Sequence, residues 1–466
     1  MNLRILGTEL RRSAAPWAGL LVLGGSLGVF FGFDGIWWQG TAGWTAQWTS
    51  MALWSRYLLA LWWPLVVGVG ALYGLRDARS GTSELLGTTS RPAWRRAALP
   101  AGALAGALAA GYGLLVAVGA VLVADGGTAY RPLGWLPIVL VAGLALVAGA
   151  VFGMGVARAV PSVLTPPALV VGLLLLTGTL LRQNNEGALP GSSGPLRLAL
   201  LSPAVAEPRE LLLTPSGPVH LGQAVWLLGV AGTGFALLVA GSRRARLLAL
   251  VPVLAGAAVA LAVLPGTARD AWTVDRAAAR AVCAGPVCVT AAHRDRLPGL
   301  AASGGEALRV LGGALGDGAP RTVREDTELR ALGDPRTPDP GAVVVDFDER
   351  AFADARGAAL TRALVGRGLV PACRARTAWE GGSVEDTAAQ GIAAAWALGE
   401  RTVTPLEKPG TGTYEQQVRQ DAEAAWTKFS AAAPAEQRAR IAALREAALS
   451  CSGDRPLSLL TGAEAR

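Results

Sequence analysis

The sequence predicts an all-α polytopic membrane bundle of about seven transmembrane helices, N-terminus inside, followed by a mainly helical α+β extracytoplasmic domain. Three observations carry that reading. Hydrophobic residues make up 52% of the 466 and charged ones only 16%, where a soluble chain carries roughly 25% charged. Seven apolar runs, each about the length needed to cross roughly 30 Å of hydrocarbon, contain no charged side chain. Charge also changes along the chain: up to Pro265 there are 17 Arg and 8 acidic residues, and from Gly266 onward 25 basic and 26 acidic ones. The net charge of +8 therefore belongs to the first part, where Arg-rich cytoplasmic loops account for it and no nucleic-acid partner is implied.

The runs are Ala14–Phe33, Tyr57–Leu75, Leu99–Ala124, Trp135–Ala157, Ala159–Leu181, Gly222–Gly241 and Leu247–Pro265. Only Arg158 and a turn near Pro161 separate the fourth from the fifth, so a tight helical hairpin and a re-entrant pair both fit them. Ala14–Phe33 is long for the core of a signal peptide. Asp34-Gly35-Ile36-Trp37-Trp38 follows it instead of a small-residue cleavage site, so it reads as a retained span. Arg residues then set orientation: those on the side of the N-terminus outnumber the five on the other, Arg56, Arg131, Arg182, Arg197 and Arg209. The alternation holds at every loop. An odd number of spans sends Gly266–Arg466 outside, and the localisation is a multi-pass protein of the cell membrane.

Trp37, Trp38, Trp44, Trp48 and Trp54 gather on that outer side. Indole rings favour the membrane–water interface, since the ring is apolar and its N–H seeks water. They read as anchors, with Gly43–Arg56 as a helix lying on the outer leaflet of the lipid bilayer; the alternative is an aromatic platform for a sugar or a lipid headgroup. Gly24, Gly28 and Gly32 make a small-residue ridge on the first span, Gly102 and Gly106 on the third, Gly149 and Gly153 on the fourth. Such ridges admit close helix contacts, within one chain or in a homodimer. No ionisable residue stands at membrane depth, which disfavours a proton-coupled carrier. No phosphate-binding G-x-x-x-x-G-K-[S/T] loop occurs either, so any energy for transport comes from another subunit.

The loop after the second span is Arg76-Asp-Ala-Arg79-Ser-Gly81-Thr82-Ser-Glu84-Leu85-Leu86-Gly-Thr-Thr-Ser-Arg91. Gly81 stops a helix. Thr82 or Ser83 can cap a short new one with Glu84 in its first turn, and Leu85 and Leu86 give it an apolar face fit for a partner's groove. This loop resembles the one in ABC-2-type export permeases, where an R-x-G-T-x-x-L-L stretch followed by basic residues contacts the nucleotide-binding subunit. Met1–Ser13, basic and amphipathic, is similar to the interfacial elbow helix of those permeases. The resemblance covers the first half of the chain. It implies a permease subunit driven by a separate ABC ATPase, docked on Gly81, Thr82, Glu84, Leu85, Leu86 and Arg91. The seventh span and the large outer domain depart from the six-span pattern, and the alternative is a non-transporting anchor or sensor whose outer domain binds an envelope component or a protein.

Past Pro265 the composition is that of a soluble domain. Helices are expected at Ala268–Val282, Leu297–Leu315, Glu349–Val365, Ser383–Leu398, Tyr414–Ala432 and Pro434–Ser450, the last opened by proline. Gly341–Phe347 reads as a buried strand, Arg321–Val323 begins another, and Gly316–Pro340 is loop-like. All four cysteines, Cys283, Cys288, Cys373 and Cys451, lie here. An even number in an oxidising compartment reads as disulfides, with Cys283 to Cys288 and Cys373 to Cys451 as the pairs; a zinc site from Cys283, Cys288 and His293 competes. His293 and His220 read as surface or capping residues. Asp346, Asp348 and Glu349 read as a helix-capping cluster, with a metal or acid/base pair as the competitor. With no H-E-x-x-H, no G-x-S-x-G and no catalytic cysteine setting, the chain is expected to be neither an enzyme nor the holder of a cofactor.

Overall fold

The computed structural model describes residues 15–38, 42–76, 92–126, 130, 133–187, 196–208, 211–328, 336–373, 383–406, 413–452 and 455–462. The chain divides into two compact units, one formed by Met1–Trp38, Gly43–Gly126 and Arg131–Val274, the other by Gln39–Ala42, Gly127–Tyr130 and Asp275–Arg466.

Each apolar run of the first unit is helical. The helices are α1 (Ala15–Gly32), α2 (Trp48–Tyr57), α3 (Leu59–Gly74), α4 (Ala93–Asp125), α5 (Trp135–Ala159), α6 (Thr165–Gly187), α7 (Gly217–Val239) and α8 (Val251–Val263). Among the described residues six helices are long and apolar enough to cross a membrane, α8 being joined to Arg243–Leu248 in that count, and the pair α2–α3, bent by 50°, raises the number to seven if it is one span. At 33 residues, α4 is about 50 Å long, well beyond the hydrocarbon core. Pro161 parts α5 from α6, because a proline lacks the N–H that a continuing helix needs.

Helix α5 is the hub, packed against α3 on one side and α7 on the other, while α1 leans on α4, α6 on α3 and α8 on α7. The α3–α5 crossing is backbone on backbone: a Cβ at Gly153 would stand 2.0 Å from the carbonyl oxygen of Val67, and one at Gly70 would stand 2.2 Å from that of Ala150. Gly149 also packs, against Trp63. The other expected ridges do not take part. A Cβ at Gly24, Gly28, Gly32, Gly102 or Gly106 would meet nothing within 4 Å; α1 and α4 touch instead through Gly19 and Gly111. Small-residue spacing marks where a close contact is permitted and not where one is made.

Two short strands close this unit. β1 (Leu213–Pro215) and β2 (Trp272–Val274) pair antiparallel, Leu213 opposite Val274 and Pro215 opposite Trp272, so the segment that enters α7 is strapped to the one that leaves α8. Ser216 reinforces the strap, its N–H donating to the Ala271 carbonyl at 2.9 Å and its hydroxyl to the Asp270 carbonyl at 2.7 Å. The helix expected over Ala268–Val282 is thereby corrected. Only Ala268–Ala271 is helical, because strand pairing overrides the helical preference of an Ala-rich stretch.

The second unit is built on a four-stranded sheet of β3 (Ala281–Ala284), β4 (Val287–Thr290), β5 (Thr322–Glu325) and β6 (Ala342–Val345), in that order. The first two form an antiparallel hairpin, turned by Gly285 at φ +60°, and the other pairings are parallel. Helix α9 (Leu297–Leu315) makes the crossover from β4 to β5, and α10 (Gly357–Leu369), α11 (Val384–Leu398), α12 (Thr413–Ser430) and α13 (Pro434–Ser450) follow. Their apolar faces bury Leu300, Leu311, Leu364, Ile392 and Phe429 together with Val323 and Val345 of the sheet. The helix expected at Glu349–Val365 is in two pieces, Arg350–Ala353 and α10.

Candidate functional site

The expected ATPase-docking residues Gly81, Thr82, Glu84, Leu85, Leu86 and Arg91 lie outside the described residues, as does Met1–Ser13. The two helices that bracket the loop, α3 and α4, are both described.

The tryptophans are placed differently from the expectation. Trp44 and Trp54 are fully buried in protein, so neither ring can lie among lipid headgroups as an anchor. Trp44 stacks on Phe30 with ring centroids 4.0 Å apart. Trp37 and Trp38 both donate their Nε1–H to the Phe30 carbonyl, at 3.0 and 2.6 Å, and Trp48 stacks on Trp135 at 5.8 Å. The cluster caps and packs the end of α1. Trp38 keeps the most exposure of this group, at 41%. The stretch expected to lie flat on the leaflet is instead α2, whose residues Thr49 to Arg56 are buried in the bundle.

That burial carries Arg56 into the protein interior, where the sequence reading expected a loop residue. Arg56 is wholly buried. Its Nε–H donates to the Pro203 carbonyl at 3.0 Å, and Nη2 donates to Oε1 of Gln223 on α7. Gln223 is held in turn, since its Nε2 donates to the carbonyls of Leu200 at 2.8 Å and Ser202 at 3.0 Å. The third guanidinium nitrogen, Nη1, has no partner. No carboxylate among the described residues pairs with Arg56, while Tyr112 of α4 and His220 of α7 lie close enough to feel its charge. The hydroxyls of Tyr112 and Ser202 and the Trp226 indole nitrogen are buried without partners too. On the far side of Gln223 a small cavity, walled by Asn184, Leu200, Val219 and Trp272, leaves about 20 Å³, room for a single water-sized species. No local pattern announces this cluster: its members come from α2, α4, α7 and the segment around Leu200, which only the packed bundle brings together.

In the second unit the cysteines stand as expected. Cys283 and Cys288 face each other across the β3–β4 hairpin with sulfurs 2.11 Å apart, and Cys373 meets Cys451 at 2.17 Å. The zinc alternative loses its third ligand, for His293 is buried and its Nδ1 lies 2.6 Å from Glu325 Oε1. No group of three metal-ligating side chains converges among the described residues.

The carboxyl ends of β4, β5 and β6 hold the densest charge. Glu325 accepts the Thr290 N–H at 2.7 Å. Arg336 reaches Asp326 at 3.1 Å, Asp346 at 2.8 Å and Glu349 at 2.7 Å, and Glu349 also pairs with Arg367. Glu349 therefore does not cap a helix with its side chain. Three carboxylates against two guanidiniums leave one negative charge in excess, and burial beside Glu349 and Asp348 pushes the Asp346 carboxyl well above the usual carboxylate range. The same carboxylates hold the Arg336 proton more tightly than usual, against the effect of its burial. With Arg336, Arg367 and Glu349 all buried, the network ties strand ends to α10. Arg336 and Arg367 were missed in the sequence because their partners are set by the sheet.

No protein-family model, no curated protein and no solved structure matches the chain.

Proposed function

We propose that the chain is the membrane permease subunit of an ABC-2-like exporter, worked by a separate ATPase that docks on Gly81–Leu86, with Gly266–Arg466 on the outer side of the membrane. The observation that supports this reading is that α3 and α4, consecutive apolar helices of the bundle, are the two elements between which the permease-like residues stand in the sequence. A partner ATPase hydrolyses the nucleotide, and the work done here is mechanical, a shift of helices against the close α3–α5 crossing. The paired cysteines support an outer, oxidising location for the second unit.

A second reading, the anchor or sensor, is favoured by a different observation: the second unit has its own sheet and its own apolar core, as a binding domain displayed on a membrane would.

One experiment separates the two. The full chain is recovered from native membranes and the co-purifying material is assayed for ATP hydrolysis. The permease reading expects a stoichiometric ATPase whose association is lost in Leu85→Asp/Leu86→Asp while the variant still inserts. If the wild-type chain brings down no ATPase, the permease reading falls and the anchor reading stands.

A further inference from the structure

We propose that the Cys283–Cys288 disulfide, beside Arg324, is a redox-exchange site opened by a dithiol oxidoreductase, while Cys373–Cys451 is a fixed tie. The sheet register carries the argument. Val287, Val289 and Val323 are buried, and α9 packs on their face of the sheet, where a Cβ at Gly304 would meet Val287 and Val323. Side chains alternate between the two faces of a strand. Cys288 and Arg324, register partners between β4 and β5, therefore stand together on the opposite face. Cys283 lies directly across from Cys288 on β3, the outermost strand among the described residues. Cys283 is exposed, and Cys288 and Arg324 are half-buried.

That placement gives the two sulfurs different roles. Thiol–disulfide exchange depends on which sulfur is reached and on how well the other leaves as a thiolate. An incoming thiolate meets Cys283 at the surface. Cys288, the sulfur displaced, has a guanidinium for a neighbour, and a nearby Arg stabilises a thiolate. Arg324 also reaches Asp339, at 3.4 Å, a long pairing open to solvent that weakens its charge only in part. In the exchange the partner's first thiolate bonds to Cys283 Sγ, the Cys283–Cys288 bond breaks, and its electron pair stays on Cys288 Sγ. The partner's second thiolate then attacks its own sulfur in the mixed disulfide and releases Cys283. Two electrons and two protons pass from the partner's dithiol to the hairpin, and the partner leaves as a disulfide.

The other pair has the opposite surroundings. Cys373 Sγ lies 3.1 Å from the Ala448 carbonyl oxygen, and Cys451 Sγ lies 3.7 Å from that of Arg336 and 3.8 Å from that of Ala448. These partial negative charges oppose a thiolate on either sulfur. Reducing that pair also frees a closure of 78 residues against 5, whereas the β3–β4 hairpin keeps its backbone pairing. The inference stands apart from the permease reading, since it concerns the second unit alone.

The test is equilibration of the purified full chain, in mild detergent, with dithiothreitol redox buffers, followed by acid quenching, alkylation and mass mapping of each pair. Cys283–Cys288 is expected to be reduced at a potential at least about 30 mV less negative than Cys373–Cys451, a tenfold difference in the exchange constant. Thioredoxin lacking its second active-site cysteine should be trapped on Cys283 and not on Cys288. With intact reduced thioredoxin, Arg324→Gln should slow reduction of the hairpin pair about threefold, the effect of a tenfold change in thiolate stability at a Brønsted slope of about 0.5. Arg324→Lys should restore the rate, and the other pair should respond to neither substitution. Should Arg324→Gln fail to fold, the wild-type potentials and the trapping decide alone. Equal potentials for the two pairs, earlier reduction of Cys373–Cys451, trapping on Cys288, or an unchanged rate in a folded Arg324→Gln each overturn the proposal.

Discussion

Thr177 on α6 directs its hydroxyl at the carbonyl of Ala60 on α3, 3.2 Å away, the acceptor that Pro64 deprives of its helical donor. In lipid a backbone carbonyl has no water to turn to, so a proline inside a span needs a neighbour to satisfy the group it frees. The same hydroxyl also lies 2.7 Å from the Leu173 carbonyl and 3.3 Å from the Leu174 carbonyl of its own helix.

The coupling between Thr177 and Pro64 is measurable. Thr177→Val should lower the thermal midpoint of the detergent-solubilised chain, and the loss should shrink when Pro64→Ala restores the helical N–H. Double-mutant cycles of such membrane hydrogen bonds give about 0.6 kcal/mol, and at most about 1.7. Equal losses in the two backgrounds would show that Ala60 gains nothing from Thr177.

The glycines of the bundle divide into two groups by what a methyl would strike. Gly153→Ala puts a Cβ against the Val67 carbonyl, which cannot swing aside, and overpacking of this kind costs roughly 1–3 kcal/mol. Gly28→Ala faces open space and removes a flexible residue from a helix, so its stability should be equal to or slightly above that of the wild type. Unfolding in mild detergent ranks the pair, and a destabilised Gly28→Ala would reveal a partner on that face of α1, such as a second copy of the chain.

Much of this was legible in the sequence. Helices Leu297–Leu315 and Pro434–Ser450 have the expected ends, since proline starts and strong periodicity are local signals, and each apolar run is a helix. What escaped was set by distant residues. Thr49–Arg56 looks interfacial by its tryptophans and its arginine, yet it is drawn into the bundle because Pro203 and Gln223, more than a hundred residues away, accept hydrogen bonds from Arg56. Val282 looked helical among its alanines, and the partner that makes it a strand residue is Val289.

The two cysteine pairs should differ in what they contribute. They are separated by 5 and 78 residues along the chain. In the chain-entropy account the long loop is worth about 4 kcal/mol and the short one about 2. Cys451→Ser should therefore loosen the second unit more than Cys288→Ser, read as faster hydrogen exchange in β6 and α10. Non-reducing mass mapping on intact cells should return both pairs, and free thiols shielded until the membrane is broken would put the unit in the cytoplasm.

The charge network at the strand ends predicts a pH dependence of definite sign. The Asp346 carboxyl holds its proton more tightly in the folded chain than in the unfolded one, so folding is favoured at low pH. That stability is lost as pH rises from the ordinary carboxylate range through the raised value, and the curve is flat above it. Asp346→Asn keeps an acceptor for Arg336 and removes the excess charge. It should stabilise the second unit at neutral pH and flatten this part of the profile. Glu349→Gln strands the buried Arg367 and should cost about 3–5 kcal/mol. Hydrogen exchange of α10 between acid and neutral pH follows both, and a profile in Asp346→Asn as steep as that of the wild type would exclude Asp346 as the titrating group.

The strap of β1 on β2 gives the bundle a strain relief. Tension arriving along the backbone from Asp275 reaches the pairing of Val274 with Leu213 before it reaches α8. The ladder must unzip toward Pro215, and the Ser216 bonds to Ala271 and Asp270 must then part, before Leu264 and Ala260 feel any pull on their seat beside Val219. A tug on the second unit is thus taken up by three residue pairs that can re-form, and the apolar helices packed behind them stay where they are.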